Sequence, residues 1–226
     1  MELVVYDTAE QAYQGAAAAI ADLVDGADDG LTVGLAGGRA VELTYDALHQ
    51  LGTRWDRVDA WMSDERWVPH DHERSNGRLA AERLTGLQPE RFHRPEWSES
   101  MTPADSAAEY EAMLRSLFDG ARPDLVLLGM GDDGHTASLF PGSEALGVRD
   151  RWFVSNVIPE TGEPRLTSTF PLLWRATRLM VITTGEAKAP ALRDTFDRTN
   201  TPASRLGEGD AEVEWHVDRA AVSLLS

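Results

Sequence analysis

The chain has 226 residues, of which 42% are hydrophobic and 26% charged, and its formal net charge is −17. That acidity argues against a nucleic-acid or anionic-membrane partner. The absence of cysteine excludes disulfide and thiol chemistry, and no apolar run approaches a membrane span.

The N-terminus, Met1-Glu2-Leu3-Val4-Val5-Tyr6-Asp7, has no basic region followed by an apolar one, so a soluble, cytoplasmic protein is expected. The length suits one domain over residues 1–226. Twenty of the 21 basic side chains are arginine, and Lys188 is the only lysine. An ammonium and a guanidinium are not interchangeable at a tight site, which marks Lys188 out.

Strand-like and helix-like segments alternate along the chain. Leu3-Val4-Val5-Tyr6 reads as a strand, and Asp7-Thr8-Ala9-Glu10 as a capping box opening an alanine-rich helix to about Asp25. Asp28-Asp29-Gly30 turns into the strand Leu31 to Ala36, and Gly37-Gly38 leads to a helix from about Val41 to Leu51. The strand Val58 to Met62 ends at Ser63-Asp64-Glu65-Arg66. A polar loop with His70, Asp71 and His72 then precedes a helix from Ser75 to about Leu84. Residues 88–101 read as an edge strand plus loop, and Thr102-Pro103 opens a helix ending near Gly120.

The apolar run from Asp124 to Met130 predicts a buried parallel strand. After it come a strand from Trp152 to Val157, the segment Arg165 to Phe170, and a short helix from Pro171 to Ala176. The strand Leu179 to Thr183 follows, with a helix from Gly185 through Phe196. Pro202-Ala203-Ser204 begins a helical turn, Val213 to Val217 is a late strand, and Asp218 caps a final helix. This alternation predicts an α/β fold: a Rossmann-like, mainly parallel sheet with helices on both faces and room for a small edge subdomain.

Four segments place glycines or polar residues just after strands, where ligands bind in open α/β sheets. In Gly34-Leu35-Ala36-Gly37-Gly38-Arg39, glycines between strand and helix let backbone N–H groups approach a phosphate; tight-turn glycines are the plain alternative. In the Asp64-Glu65-Arg66-Trp67-Val68-Pro69 run with Ser75-Asn76, Asp64 can accept a proton or a hydroxyl. Arg66 can stabilise developing negative charge, and a solvated loop of local ion pairs is the alternative. His70 and His72 lack further ligands at metal spacing and read as loop histidines.

The third segment, Gly129-Met130-Gly131-Asp132-Asp133-Gly134-His135, puts an Asp-x-His pair at a strand end. No packing argument calls for so polar a run there. His135 suits a proton acceptor, and Asp133 can orient it or contact substrate hydroxyls. The fourth is a pair of cations, Arg165 and Lys188. A lysine at the start of a helix opposes the helix dipole, so Lys188 sits as though an anion were expected.

Together these stretches resemble the 6-phosphogluconolactonase family. The matching runs are 34–38, Asp64-Glu65-Arg66-Trp67-Val68-Pro69 with Ser75-Asn76, and 128–142. Arg165-Leu166-Thr167, Gly185-Glu186-Ala187-Lys188, Pro202-Ala203-Ser204 and the segment from Trp215 to Ala221 complete the set. The resemblance implies a fold shared with glucosamine-6-phosphate deaminases and ribose-5-phosphate isomerases. It also implies hydrolysis of a small sugar-phosphate lactone, 6-phospho-D-glucono-1,5-lactone, with no metal or other cofactor.

On that basis His135 is the base, Arg66 lies near the reacting end, and Arg165 and Lys188 bind phosphate with the Gly37-Gly38 loop. Asp64 and Asp133 join the catalytic set, and Ser75 and Asn76 the substrate-binding one. One departure stands out: where the family usually follows its glycines with hydroxyl residues, this chain has Arg39-Ala40-Val41. Arg39 offers a charged donor instead.

The nearest rival is the deaminase/isomerase branch; Arg66-Trp67-Val68-Pro69 and Thr136-Ala137-Ser138-Leu139-Phe140-Pro141 favour the lactonase. A non-enzymatic sugar-phosphate sensor is the other, and the retained Asp64, Asp133 and His135 speak against it. Monomer and dimer both stay open.

Overall fold

Leu125, Val126, Leu127 and Leu128 are all buried, as a strand covered on both faces requires. The computed structural model describes residues 1–27 and 30–225, so the expected Asp28-Asp29 turn lies outside the described residues. In chain order the elements begin β1 (Glu2–Tyr6), α1 (Ala9–Asp25), β2 (Leu31–Leu35), α2 (Arg39–Leu51), β3 (Val58–Met62), β4 (Asp64–Arg66), α3 (Asn76–Arg83) and β5 (Phe92–His93). They continue α4 (Pro103–Phe118), β6 (Leu125–Gly129), β7 (Phe153–Val157), β8 (Pro164–Ser168), α5 (Phe170–Leu173), β9 (Arg178–Thr183), α6 (Ala189–Phe196) and β10 (Glu212–Asp218).

Seven strands form one sheet in the order β1-β10-β9-β6-β2-β3-β5, and every pairing in it is parallel. Alternate residues of its strands go to opposite cores. Leu125, Leu127, Met180 and Ile182 pack with α1, α2 and α3. Val126, Leu128, Leu179 and Val181 pack with α4, α5, α6 and a second sheet. That second sheet is antiparallel, β4-β8-β7. The strand–helix alternation thus folds as an α/β sheet with helices on both faces, as expected. Among the described residues no helix is long and apolar enough to cross a membrane.

Several local expectations change. The cap of α1 is Thr8 with Gln11, each side chain bonding the other's backbone N–H, because Gln11 rather than Glu10 occupies the third helical position. Asp64-Glu65-Arg66 is a strand rather than loop: it pairs with β8 across Asp64–Thr167 and Arg66–Arg165. The helix expected from Gly185 begins as a 3₁₀ turn, Glu186–Lys188, before α6. The Pro202 turn is a 3₁₀ helix, Pro202–Glu208. Asp218 heads turns rather than a helix; its Oδ1 accepts from Ala221 N and Gly185 N, both at 2.9 Å.

Gly34 serves packing rather than the loop. It lies in β2 opposite Trp61, and a Cβ there would come within 2.6 Å of the buried indole. We expect Gly34→Ala to destabilise the protein by about 1–3 kcal/mol through overpacking. A urea titration checks this: the midpoint should fall with the slope unchanged.

Candidate active site

The central strand β6 leaves the sheet at Gly129, between β9 and β2, and its following residues form a tight hairpin. Gly131 N donates to His135 O at 2.9 Å, Gly134 N donates to Gly131 O at 3.1 Å, and Gly134 adopts φ +77°. Thr136 Oγ1 donates to Gly129 O at 3.0 Å, tying the return of the hairpin to the strand end.

Inside this hairpin one Asp133 oxygen accepts from His135 N at 3.1 Å and contacts His135 Nδ1 at 2.6 Å. Gly131 leaves the room: a Cβ there would lie 2.1 Å from Nδ1. With a carboxylate accepting at Nδ1, that nitrogen carries the proton, and in the neutral ring Nε2 keeps its lone pair. Burial works to raise the Asp133 pKa. The His135 ring and backbone donors outweigh it and hold the carboxyl below its ordinary value. The imidazole packs against Phe140, ring centres 4.8 Å apart.

His135 lines a cleft of about 450 Å³ at the carboxyl ends of the sheet strands. Of the residues expected from sequence, Gly37, Gly38, Arg39, Asp64, Arg66, Asn76, Arg165 and Lys188 line it as well. Asp133 stands behind His135, and Ser75 lies off the cleft, 2% exposed, as the N-cap of the first turn of α3.

That turn explains how the Asp64–Arg66 strand is held. Glu65, 4% exposed, accepts from Asn76 N and Gly77 N, both at 2.7 Å, from Ser75 Oγ at 3.0 Å and from Arg66 N at 2.8 Å. Ser75 Oγ also accepts from Arg78 N, so the free N–H groups of the first turn of α3 are satisfied from within. Burial pushes the Glu65 carboxyl up, against these backbone donors. Asn76 Nδ2 in turn donates to Asp64 O at 3.1 Å and to Asp64 Oδ1 at 3.3 Å, while Asp64 Oδ2 accepts from Ser138 Oγ at 2.7 Å. Asn76 Oδ1 presses on Gly37, where a Cβ would come within 1.8 Å.

The N-terminus of α2 is arranged differently. It starts at Gly38 with no side-chain cap, and Gly38, Arg39, Ala40 and Val41 all line the cleft. Uncapped N–H groups at a helix start favour an anion. Gly38 adopts φ +97° and ψ 158°, and Gly185 after β9 adopts φ +95° and ψ 151°. The chain therefore leaves the strands on either side of β6 through the same glycine-dependent conformation.

The cations are distributed around this cleft. Arg66 and Arg165 are direct cross-strand partners, a like-charge placement that is unfavourable unless other groups compensate. Arg165 pairs with Glu163 at 3.1 Å, and Arg74 reaches Glu163 too. Arg66 Nη1 donates to Arg74 O at 2.8 Å. Lys188 Nζ lies 2.7 Å from Asp132 Oδ1. The two aspartates of Gly131-Asp132-Asp133-Gly134 thus divide: Asp132 meets the lysine and Asp133 the histidine. Arg39 is 73% exposed in its side chain and pairs with Glu42 at 3.1 Å.

Sequence reasoning passed over Glu65, Ser138, Asp132 and two cleft residues from distant elements, Tyr13 of α1 and Thr184. The signal at Tyr13 is a lone aromatic in an alanine-rich helix, and at Thr184 its place before Gly185.

Substituting Glu65 by Ala would strand Asn76 N, Gly77 N and Ser75 Oγ in a buried turn. We expect Glu65→Ala to lose about 2 kcal/mol or more of stability, with Glu65→Gln in between. Urea midpoints of both variants against wild type check it.

The sequence profile described as glucosamine-6-phosphate isomerases/6-phosphogluconolactonase matches residues 6–215. A Nostoc 6-phosphogluconolactonase is 38% identical over 207 residues, covering 86% of this chain and 85% of the relative. Among solved structures, a 6-phosphogluconolactonase from Thermotoga maritima matches with a TM-score of 0.82 and 27% identity over 96% of this chain and 99% of that one. A monomeric glucosamine-6-phosphate deaminase shares the fold, with a TM-score of 0.84 and 24% identity over 99% and 100% of the two chains. The chain belongs to the glucosamine-6-phosphate isomerase/6-phosphogluconolactonase family.

Proposed function

From that membership, we propose that the protein hydrolyses 6-phospho-D-glucono-1,5-lactone to 6-phospho-D-gluconate in the pentose-phosphate pathway. Residues 1–226 act as one domain in the cytoplasm. The observation that carries the chemistry is the Asp133–His135 contact, which leaves His135 Nε2 as an acceptor in the cleft.

A lactone is an activated ester, so a positioned base, a water and a cation facing the forming oxyanion suffice. His135 Nε2 takes a proton from water as the oxygen attacks the lactone carbonyl. Arg66 faces the negative charge that develops there. The tetrahedral intermediate collapses with cleavage of the bond to the ring oxygen, and the imidazolium returns its proton to that oxygen. Asp133 orients the ring and stabilises its charged form. Asp64, whose oxygens already accept from Ser138 and Asn76, has lone pairs left for a substrate hydroxyl.

The phosphate is bound by Arg165, Lys188 and the uncapped α2 start at Gly37, Gly38 and Arg39. Two features of the site support that anionic role. The α3 start is filled by Glu65 whereas the α2 start is open, and Arg66 and Arg165 stand side by side. Ser75 and Asn76 serve the substrate indirectly, by holding Glu65 and Asp64 in place.

Purified protein should accelerate hydrolysis of the phosphorylated lactone above its spontaneous rate and leave glucosamine 6-phosphate unchanged. His135→Ala should lower kcat/KM by about 10²–10⁴-fold. A wild-type rate equal to the spontaneous one contradicts the assignment, and an unaffected variant contradicts the role of His135 alone.

A further inference from the structure

The turn that opens α2, Gly37-Gly38-Arg39-Ala40, carries no hydroxyl side chain. Hydroxyls do reach the same cleft from elsewhere. Tyr13, from α1, and Thr184, the residue just past β9, both line it, and Tyr13 Oη lies 2.5 Å from Thr184 Oγ1. The pair joins elements 171 residues apart in sequence. Thr184 directly precedes Gly185, the residue whose turn carries Lys188 into the cleft. Tyr13 and Thr184 are each part-exposed, so the pair is open to a ligand rather than sealed in the core.

Two hydroxyls that bond each other use only one of their two protons. A phenol is the stronger donor and the weaker acceptor of the two types, which favours Tyr13 as the donor to Thr184 Oγ1. The Thr184 proton is left for a third group. A hydroxyl that already accepts a hydrogen bond is polarised into a better donor. Beside a lysine and an uncapped helix start, the matching third group is an anionic oxygen.

We propose that Thr184 donates a hydrogen bond to the phosphate of the substrate and that Tyr13 is the positioning residue that orients and polarises it. The inference rests on the phosphorylated-lactone reading above. It gives the phosphate a side-chain hydroxyl donor that the α2 turn lacks, delivered from β9 and α1.

Steady-state kinetics on the phosphorylated lactone test it with four variants. Thr184→Val removes the hydroxyl and keeps the shape; KM should rise about tenfold, the loss of one hydrogen bond to a charged group, with kcat held within about twofold. Thr184→Ser should restore the wild-type KM. Tyr13→Phe should raise KM less than Thr184→Val does. The double variant should match Thr184→Val alone, since Tyr13 acts only through that hydroxyl. An unchanged KM in Thr184→Val, a fall in kcat alone, or additive effects in the double variant would overturn the proposal while the lactonase reading stands. Wild-type protein with no activity above the spontaneous rate would overturn both.

Discussion

Asp133 binds His135 twice, through the backbone N–H and through ring Nδ1, and the double contact exists because Gly131 has no side chain to occupy that space. The rest of the site is organised around that hairpin. Gly134 turns the chain with φ +77°, and a Cβ there would come within 2.7 Å of Thr201, on the segment leading to the Pro202–Glu208 turn. Ala203 N closes the same region by donating to Gly134 O. Two residues past the histidine, Ala137 is held at φ +49°, a conformation a non-glycine residue keeps only when its surroundings fix it. The surroundings here are the Leu139 N to Thr136 O bond and the Ser138 contacts to Asp64 and Thr167. The histidine is thus set by backbone geometry, and its neighbours reach across to the second sheet.

The electrostatics reconcile an acidic protein with an anionic ligand. A net charge of −17 opposes the approach of a phosphate over long range. Inside the cleft the balance reverses: Arg66, Arg165, Lys188 and Arg39 line it, along with one open helix start. Three of the carboxylates nearby are committed. Asp132 meets Lys188, Glu163 bridges Arg74 and Arg165, and Glu65 is enclosed by the first turn of α3. Glu163 is held below its ordinary value by the Arg165 side chain first, against the opposing effect of burial, and by Arg74 as well. In the proposed reaction an incoming phosphate competes with these local anions for the same cations, and the exposed Asp132 is the partner Lys188 would exchange.

Much of this was legible in the amino-acid order. The all-apolar β6 and the glycines after β2, β6 and β9 located the carboxyl edge of the sheet, and most of the expected site residues do line one cleft. What the sequence hid has physical reasons. Asp64-Glu65-Arg66 looks like loop because all three residues are polar; it becomes a strand through pairing with β8 a hundred residues away, a non-local contact with no periodic signal. Glu65 looks like a solvated charge until the first turn of α3 supplies its donors. Tyr13 reads as an ordinary helix-face aromatic, and only the packing of α1 against the β9 end brings it to Thr184. Asp218 opens no helix for a similar reason: its carboxylate is shared between Ala221 and Gly185, and the following residues stop at turns.

In the proposed reaction Asp133 keeps Nε2 of His135 free and stabilises the ring once it is charged. Because the Asp133 carboxyl is held below its ordinary value, its contribution is present above the usual aspartate range and is lost only as pH falls through the lowered one. Above the usual aspartate range it is therefore a fixed negative charge beside the ring. The direct measurement is the pH dependence of kcat/KM for lactone hydrolysis by wild type and Asp133→Asn. Loss of the carboxylate should drop the plateau, since the amide neither stabilises the imidazolium nor fixes the tautomer. A plateau that coincides with wild type would contradict that role.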